Sequence, residues 1–308
     1  MTVSTGESVY IDIGVFLRAP TGQETASLLG LNTATGGTAT LPAGTVTLPV
    51  ENATGWVAGS LWLLDGPWSE QVEVTGSPDS THLTLSGSGT AFAHGPGVSA
   101  SQSGTAGSLA ETLVRASNWV DGYCQQGTSF DRSLFASQRT ERWAIPGRRG
   151  GLDVDGILWV RPGHFPVQAV TGLMVDAGYG QTTDLDSTQA EVTSDGRMVE
   201  IPALTLAPVT AGAAATPGLD RSSRFRRQWV SIIYLGGFTP GELPYGIQQA
   251  TIWVASEMLA QRRNPSGAAL LRQGKFEMQL RLRGDPVDES LLLSKARAAL
   301  EPFRDTGM

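Results

Sequence analysis

The segment from Trp229 to Arg263 constrains the fold of this chain most strongly, because a strand, a turn and a helix follow one another within it. The run WVSIIYLGGF is typical of a hydrophobic strand that ends at a glycine turn. The run LPYGIQQATIWVASEMLAQRR predicts a helix that follows a Leu-Pro turn. Most of the surface of this helix is apolar, which is typical of a helix packed on two sides. Its main apolar face carries Ile247, Ala250, Thr251, Val254 and Met258.

Residues 41–100 alternate between apolar and polar positions in four short runs, as strands with one buried face do. The runs are TVTLPV, SLWLL, EQVEV and HLTL, and Asn, Asp, Gly and Pro residues separate them. In the first run we expect Val46, Leu48 and Val50 to point inward. The pattern predicts an antiparallel β module, either a small barrel or a sandwich.

The regions on either side of this module are less regular. Residues 1–40 are expected to form an N-terminal arm, in which YIDIGVFLR is a candidate strand and residues 24–31 a short helical turn. Residues 101–107 have the Ser/Gly composition of a linker. A helix is then expected to begin at a capping box formed by Ser108 and Glu111.

Further elements are predicted after this helix. Residues 139–145, 156–160 and 166–176 have strand-like patterns, and residues 191–201 predict a hairpin that turns at Ser194-Asp195-Gly196. Residues 207–224 read as an exposed loop. Residues 275–284 form a candidate strand, and a last helix is expected over about 286–303 with Asp285 as its N-cap.

Two of these segments resemble the head–tail adaptor (connector or head completion) proteins of long-tailed bacteriophages. One is the strand, GGF turn, Leu-Pro and helix of residues 229–263. The other is the helix from Ser108, which ends in the family-like pattern W-V-x-x-Y-C at Trp119, Val120, Tyr123 and Cys124. The resemblance implies an α+β fold: a helical adaptor core with β-hairpins over residues 108–308, preceded by the β module.

The resemblance also implies a function in virion assembly. It predicts a homo-oligomeric ring, expected to be twelvefold, that joins the portal protein to a neck or tail-terminator protein. Genomic DNA would pass through the ring without sequence-specific contacts. The segment from about residue 285 to residue 308 would bind the portal. The expected location is the head–tail interface of the virion, and the host cytoplasm during assembly, with no membrane contact.

The candidate residues for the ring and portal interfaces, or for the DNA channel, lie in arginine clusters and at the C-terminal end. Arginine suits such interfaces because its planar guanidinium group pairs with carboxylates and phosphates. Arg148 and Arg149 form a further basic pair. The candidates are Arg221, Arg224, Arg226, Arg227, Arg262, Arg263, Arg281, Arg283, Leu300, Phe303 and Arg304.

Charge is distributed unevenly along the chain. Residues 1–110 hold one basic and eight acidic residues, for a net charge of −7, whereas residues 221–308 hold thirteen basic and eight acidic residues, for +5. This asymmetry predicts different partners for the two ends. The basic end suits DNA or an acidic protein surface, and a solvated basic face is an equally good reading.

No catalytic or phosphate-binding motif is present in the sequence. His82, His94 and His164 do not have metal-ligand spacing, and Cys124 is the only cysteine. No apolar run reaches the length of about 18 residues that a transmembrane helix needs. We therefore expect no cofactor, no metal and no enzymatic activity.

One alternative belongs to another functional class. The chain would then be a surface- or carbohydrate-binding protein that acts through its β module. Trp56, Trp62 and Trp68 are the aromatic residues that would form the binding platform. Trp62 has the opposite strand parity to Leu61 and Leu63, which is compatible with an exposed ring.

Overall fold

Strands make up most of the regular structure of this chain, and its helices are few. The computed structural model describes residues 8–19, 32–102, 109–124, 126, 133–145, 147–153, 157–176, 182–201, 228–263, 270–273, 276–279 and 291–305. The fold over these residues is mostly β, with several antiparallel sheets and a half-barrel, and 29% of it is helical.

The predicted helical adaptor core is therefore wrong. Helical periodicity repeats over many residues and is easy to recognise in a sequence. Several strands between the helices have only two to four residues, and some strands pair with others far away in the chain, so the sequence pattern reveals less of the sheets than of the helices.

The chain divides into two compact units. The first comprises Met1–Cys124 and Leu243–Phe303, and the second comprises Gln125–Glu242 and Arg304–Met308. The larger part of the second unit, Gln125–Glu242, is thus inserted in the sequence of the first. The predicted domain limits, at residues 40, 100 and 107, follow sequence composition and remain predictions.

The first unit contains a six-stranded antiparallel sheet. Its strands pair in the order β1-β6-β3-β4-β5-β2. They are β1 (Asn32–Ala34), β2 (Thr47–Pro49), β3 (Gly59–Leu64), β4 (Glu70–Asp79), β5 (His82–Leu85) and β6 (Ser99–Gln102).

The buried face of this sheet follows the predicted alternation at most positions. Its core includes Leu48, Leu61, Leu63, Val74 and Leu83. The inward orientation expected of Val46 is wrong, because this residue precedes β2 and 46% of it is exposed.

Among the described residues, the first unit also contains the helices α1 (Ile13–Arg18), α2 (Leu109–Cys124), α3 (Tyr245–Arg263) and α4 (Leu291–Leu300). The segment of α1 was expected to be a strand, and that expectation is wrong. The Asp12 carboxylate accepts a hydrogen bond from the Val15 backbone N–H at 2.6 Å and so caps the first turn of the helix.

Helices α2, α3 and α4 pack against one another, and we call them the helix cluster. The predicted apolar face of α2 is buried at Leu109, Leu113, Ala116 and Val120. On α3 the buried residues include Ile247, Ala250, Thr251 and Val254. A Cβ atom added at Gly246 would lie 3.3 Å from both the Ala299 carbonyl oxygen and the Phe303 ring, so the start of α3 closely approaches the end of α4.

The N-terminal segment also packs on the helix cluster. Tyr10 is buried, and its hydroxyl donates a short hydrogen bond to the Asp121 carboxylate of α2. Its backbone N–H donates to Ser117 Oγ at 3.2 Å. These bonds satisfy polar groups that burial would otherwise leave without a partner.

The second unit contains two four-stranded antiparallel sheets, which pair in the orders β11-β10-β14-β7 and β12-β13-β9-β8. The first six of these strands along the chain are β7 (Ser137–Ile145), β8 (Gly150–Leu152), β9 (Leu158–Val160), β10 (Val167–Asp176), β11 (Thr182–Leu185) and β12 (Glu191–Val192). They are followed by β13 (Val199–Ile201) and β14 (Gln228–Gly236).

One apolar core joins the two sheets of the second unit. It includes Trp143, Val160, Leu173, Val199 and Ile232. The strand predicted before the GGF turn is confirmed as β14, which lies between β7 and β10 in its sheet. Its partners come from distant parts of the chain, and the sequence pattern carries no sign of that pairing.

A short hairpin completes the described structure. It pairs β15 (Leu270–Gln273) with β16 (Phe276–Gln279). The predicted elements at residues 24–31, at Ser108, at residues 207–224 and at residues 285–290 lie outside the described residues. None of the helices in the described ranges combines the length and hydropathy that crossing a membrane requires.

Candidate functional site

A concave site lies in the second unit. It has a volume of about 500 Å³, within the usual range for ligand pockets. Four arginines line it beside two aspartates, and we call it the arginine cleft. Its lining comprises Arg149, Arg161, Pro162, Phe165, Thr193, Ser194, Asp195, Arg197, Met198, Arg304 and Asp305.

One wall of the arginine cleft is the turn between β12 and β13. The predicted hairpin is confirmed, with Asp195 and Gly196 in its turn. Thr193 Oγ1 donates to Asp195 Oδ1 at 2.7 Å, and the backbone N–H of Arg197 donates to the same oxygen at 3.0 Å. The hydrogen bond from Thr193 is the main reason why the pKa of Asp195 lies below its ordinary value.

Gly196 fixes the shape of this turn. Its φ angle is +67°, and a Cβ atom at this position would lie 2.5 Å from Pro166 Cβ. Its carbonyl oxygen accepts a hydrogen bond from the Val167 backbone N–H at 2.7 Å. The turn therefore requires glycine both for its backbone conformation and for its contact with the neighbouring loop.

The arginines of the cleft are held in different ways. Arg149 Nη2 forms an ion pair with Asp305 Oδ2 at 2.6 Å. The Arg197 guanidinium group lies 4.6 Å above the centre of the Phe165 ring, which is a cation–π arrangement. Arg161 is exposed, and its guanidinium group lies 5.6 Å from the centre of the Trp159 ring. The cleft thus presents preorganised guanidinium groups to solvent.

A buried polar network supports the loop that carries Phe165. Tyr234 Oη donates to Glu141 Oε1 at 2.5 Å and accepts from the His164 backbone N–H at 3.2 Å. The Glu141 carboxylate also accepts from the Gly163 backbone N–H at 3.0 Å. Because Tyr234 is fully buried, burial is the first cause that raises the pKa of its hydroxyl.

His164 joins this network to a buried arginine. Arg139 Nε donates to His164 Nδ1 at 2.7 Å, so this ring nitrogen is an acceptor. Burial and then the positive charge of Arg139 lower the pKa of His164 to about 3, although a backbone hydrogen bond with Ser133 opposes this effect. His164 is therefore neutral at physiological pH and serves as a structural acceptor.

A second polar cluster lies in the six-stranded sheet of the first unit. His94 is fully buried, with Nδ1 3.0 Å from Asp65 Oδ2 and Nε2 2.7 Å from Glu70 Oε1. Burial alone would lower the pKa of His94, but hydrogen bonds to the two carboxylates and their negative charges raise it to about 9. The Glu70 carboxylate also accepts from the backbone N–H groups of Ala91 and Phe92.

This cluster lies beside the most exposed tryptophan of the first unit. Trp68 is 53% exposed, and its ring centre lies 5.6 Å from that of Phe92. Trp56 is buried, and Trp62 is half-buried with its Nε1 atom shielded from solvent. Of the three tryptophans proposed as a platform, only Trp68 is exposed as a binding surface.

The candidate interface residues fall in several places. Leu300 is fully buried in the helix cluster, and Phe303 is half-buried beside Gly246. Arg304 lines the arginine cleft. Arg262 and Arg263 are the last two residues of α3, and their side chains are not among the described parts of the structure. The remaining candidates lie outside the described residues: Arg221, Arg224, Arg226, Arg227, Arg281 and Arg283.

Sequence reasoning missed most of the cleft. Arg161 and Arg197 are isolated in the sequence, and the fold brings them to Arg149 and Arg304. The sequence signals were the basic pair Arg148-Arg149, the candidate Arg304 and the hairpin turn, and none of them indicated that these residues lie together. Within the part of the chain that the structure describes, no three or more His, Cys, Asp or Glu side chains are placed so that they could hold a metal ion.

Comparisons with known proteins give a structural similarity but no match in sequence. No protein-family model matches the chain, and no curated protein matches it in sequence. Among solved structures, the chain is similar to the neck of an empty gene transfer agent (GTA) particle computed with C6 symmetry. The sequence identity is 20%, the match covers 64% of this chain and 76% of that chain, and the TM-score is 0.30. This similarity is weak and establishes neither family nor function.

Proposed function

We propose that this chain is a virion structural protein of a phage-like particle, a head–tail adaptor that forms a ring between the portal and the neck or tail. The observation that carries the proposal is the packing of α2 on α3 in the helix cluster. Each helix belongs to one of the two segments that resemble the adaptor family, and the two helices are far apart in the sequence. Because the two helices are in contact, the two segments that resemble the adaptor family meet in the structure.

The proposed ring has identical subunits, expected to number twelve. Contacts around such a ring join two different patches of neighbouring subunits, and the rotation closes. Its proposed partners are the portal protein, a neck or tail-terminator protein, and genomic DNA that passes through without sequence-specific contacts. The protein would act by docking and sealing, without catalysis or a cofactor.

The proposed portal contact lies at the C-terminal end. Ala296 and Leu300 of α4 are fully buried in the helix cluster, so deleting this helix would damage the fold as well as any interface. Leu291 is 67% exposed at the start of α4. We therefore propose the outer surface of α4, including Leu291, as the portal-binding surface.

The test measures the mass of the full chain, alone and mixed with the portal protein encoded beside it. We expect a closed ring, or a monomer that joins the portal in a fixed stoichiometry. A Leu291→Glu variant should weaken portal binding at least tenfold, whereas Val57→Glu, on another exposed apolar residue, should not. A wild-type monomer that ignores the portal at every concentration would reject the adaptor function.

A second candidate function is surface or carbohydrate binding through the six-stranded sheet. The observation in its favour is the exposed ring of Trp68 beside Phe92, because aromatic faces are a common element of binding surfaces. The test is a glycan-binding screen of the full chain and of a Trp68→Ala variant. Binding that Trp68→Ala abolishes would favour this candidate, and the absence of binding would exclude the glycan form of it.

A further inference from the structure

The arginine cleft has the chemistry of a receptor for carboxylates. Its four guanidinium groups outnumber its two carboxylates, and Pro162, Phe165 and Met198 add apolar wall between them. Arg161 and Arg197 are exposed, so an incoming group can reach them. Guanidinium groups bind carboxylates through paired, charge-assisted hydrogen bonds. An acidic side chain on a short protruding turn would fit a cleft of about 500 Å³.

The first unit carries an exposed turn between β4 and β5. Asp79 ends β4 and is exposed, and Glu51 is also exposed. A hydrogen bond of 2.8 Å links the two segments, from the backbone N–H of Ala53, two residues after Glu51, to the carbonyl oxygen of Ser80, the residue after Asp79. We call Glu51 and Asp79, with the turn between β4 and β5, the acidic turn.

The charge of the surrounding sheet is one-sided. Residues 32–102 contain five acidic residues and neither lysine nor arginine. In the acidic turn, a hydrogen bond from the Thr81 backbone N–H, followed by one from the His82 ring, lowers the pKa of Asp79 to about 2. The Asp79 carboxylate is therefore ionised throughout the physiological pH range.

We propose that the arginine cleft of one copy of this chain receives the acidic turn of a second copy. Such a contact is heterologous, because the cleft and the turn are different patches, and repeated contacts of this kind close a ring. The inference rests on the proposed function and names one of its subunit interfaces. Charge complementarity of this kind steers association and fixes which surfaces meet.

Duplex DNA is the competing occupant, and the cleft suits it less well. DNA presents its phosphates along a convex rod, at about one charge per 1.7 Å of helix axis. A stripe of basic residues on an open surface matches that pattern. The arginine cleft is concave, so its shape does not match a convex rod.

Charge exchange in the full-length chain tests the proposal. Asp79→Arg and Arg197→Asp should each weaken self-association at least tenfold, because like charges then meet at every contact. Mixing the two variants should restore it, because every contact between unlike chains joins opposite charges. Glu73→Arg and Arg148→Asp are matched controls, since both residues are exposed and neither belongs to the acidic turn or the cleft lining. Single variants that associate like the wild type, or a mixture that does not recover, would overturn the proposal.

Cysteine crosslinking provides a second measurement, which requires only that the cysteine variants fold like the wild type. Cys124 is buried, and burial raises the pKa of its thiol to about 12, so the native cysteine should be unreactive. Asp79→Cys mixed with Arg161→Cys should give a disulfide-linked pair of chains. Glu73→Cys mixed with Arg161→Cys should not. Equal crosslinking in the two mixtures would contradict a specific contact.

The outcomes separate this inference from the proposed function. If the chain binds the portal but its self-association is insensitive to charge exchange, the adaptor function stands and the proposed interface is wrong. If the chain self-associates through the cleft but does not bind the portal, the proposed interface stands and the adaptor function is wrong. If Arg197→Asp instead abolishes binding to duplex DNA while self-association is unchanged, the cleft binds phosphates and the proposal fails.

Discussion

His94 Nε2 lies 2.7 Å from Glu70 Oε1, inside the six-stranded sheet and shielded from solvent. The histidine thus bridges Glu70 and Asp65, and it holds the loop that carries Phe92 against β4. A buried charge is tolerated only where partners compensate for lost hydration. The interaction makes His94 a central structural residue of this sheet. The sequence did not indicate that role, because it shows only a histidine in a Gly/Pro-rich loop.

Replacing His94 by alanine should destabilise the protein by about 3 kcal/mol, because two carboxylates would lose their buried cationic partner. The matched control is His82→Ala. His82 also contacts a carboxylate, that of Asp79, but its side chain is 39% exposed, so the cost should stay below about 1 kcal/mol. Urea unfolding of both variants measures the difference. Equal losses in the two variants would contradict a central role for His94.

The same cluster predicts a specific pH dependence. The folded-state pKa of His94 is about 9, above its ordinary value of 6.5. Its contribution to stability is therefore complete below pH 6.5 and is lost as the pH rises through 9. The difference in unfolding free energy between wild type and His94→Gln should shrink between pH 6.5 and pH 10. A difference that is constant over this range would show that His94 is not charged in the folded protein.

The turn at Gly196 predicts a strong response to a single methyl group. Gly196→Ala should cost more than about 1 kcal/mol, because alanine is strained at φ +67° and its Cβ would meet Pro166. Gly122→Ala is the control: it lies within α2, and an added Cβ there meets nothing within 4 Å. That variant should be stabilised by up to about 1 kcal/mol. Thermal unfolding of the two variants should therefore shift in opposite directions.

Tyr234→Phe tests the support beneath the arginine cleft. It removes the hydroxyl that donates to Glu141 and accepts from the His164 backbone N–H. We expect a loss of about 1–3 kcal/mol, because buried polar groups lose their partner. Hydrogen exchange of residues 161–167 should also accelerate. Unchanged exchange in this loop would mean that the network does not hold the cleft wall.

Local patterns predicted much of the secondary structure of this chain. The alternation around Leu61 and Val72 marked β3 and β4, and the turn residues around Asp195 marked the β12–β13 hairpin. Strand partners were not predictable, because β14 pairs with β7 and β10 through contacts that leave no periodicity in the sequence. For the same reason, the helices dominated the sequence interpretation and led to the wrong fold class.

The candidate site was less predictable than the fold. Arginines that are neighbours in the sequence indicate a positively charged site only when all the residues of that site come from one stretch of the chain. Arg149 and Arg304 are far apart in the sequence, yet both line one cleft, because Asp305 forms an ion pair with Arg149. Tertiary contacts of this kind decide which charges act together, and a single sequence does not contain them.

The position of this chain in assembled particles tests the adaptor role most directly. Cryo-electron microscopy of particles made from the genome that encodes the chain would show that position. We expect a ring of density at the head–tail junction, in contact with the portal, into which the two units can each be fitted. A chain that is missing from purified particles, or that lies on the capsid surface or at the tail tip, would contradict it.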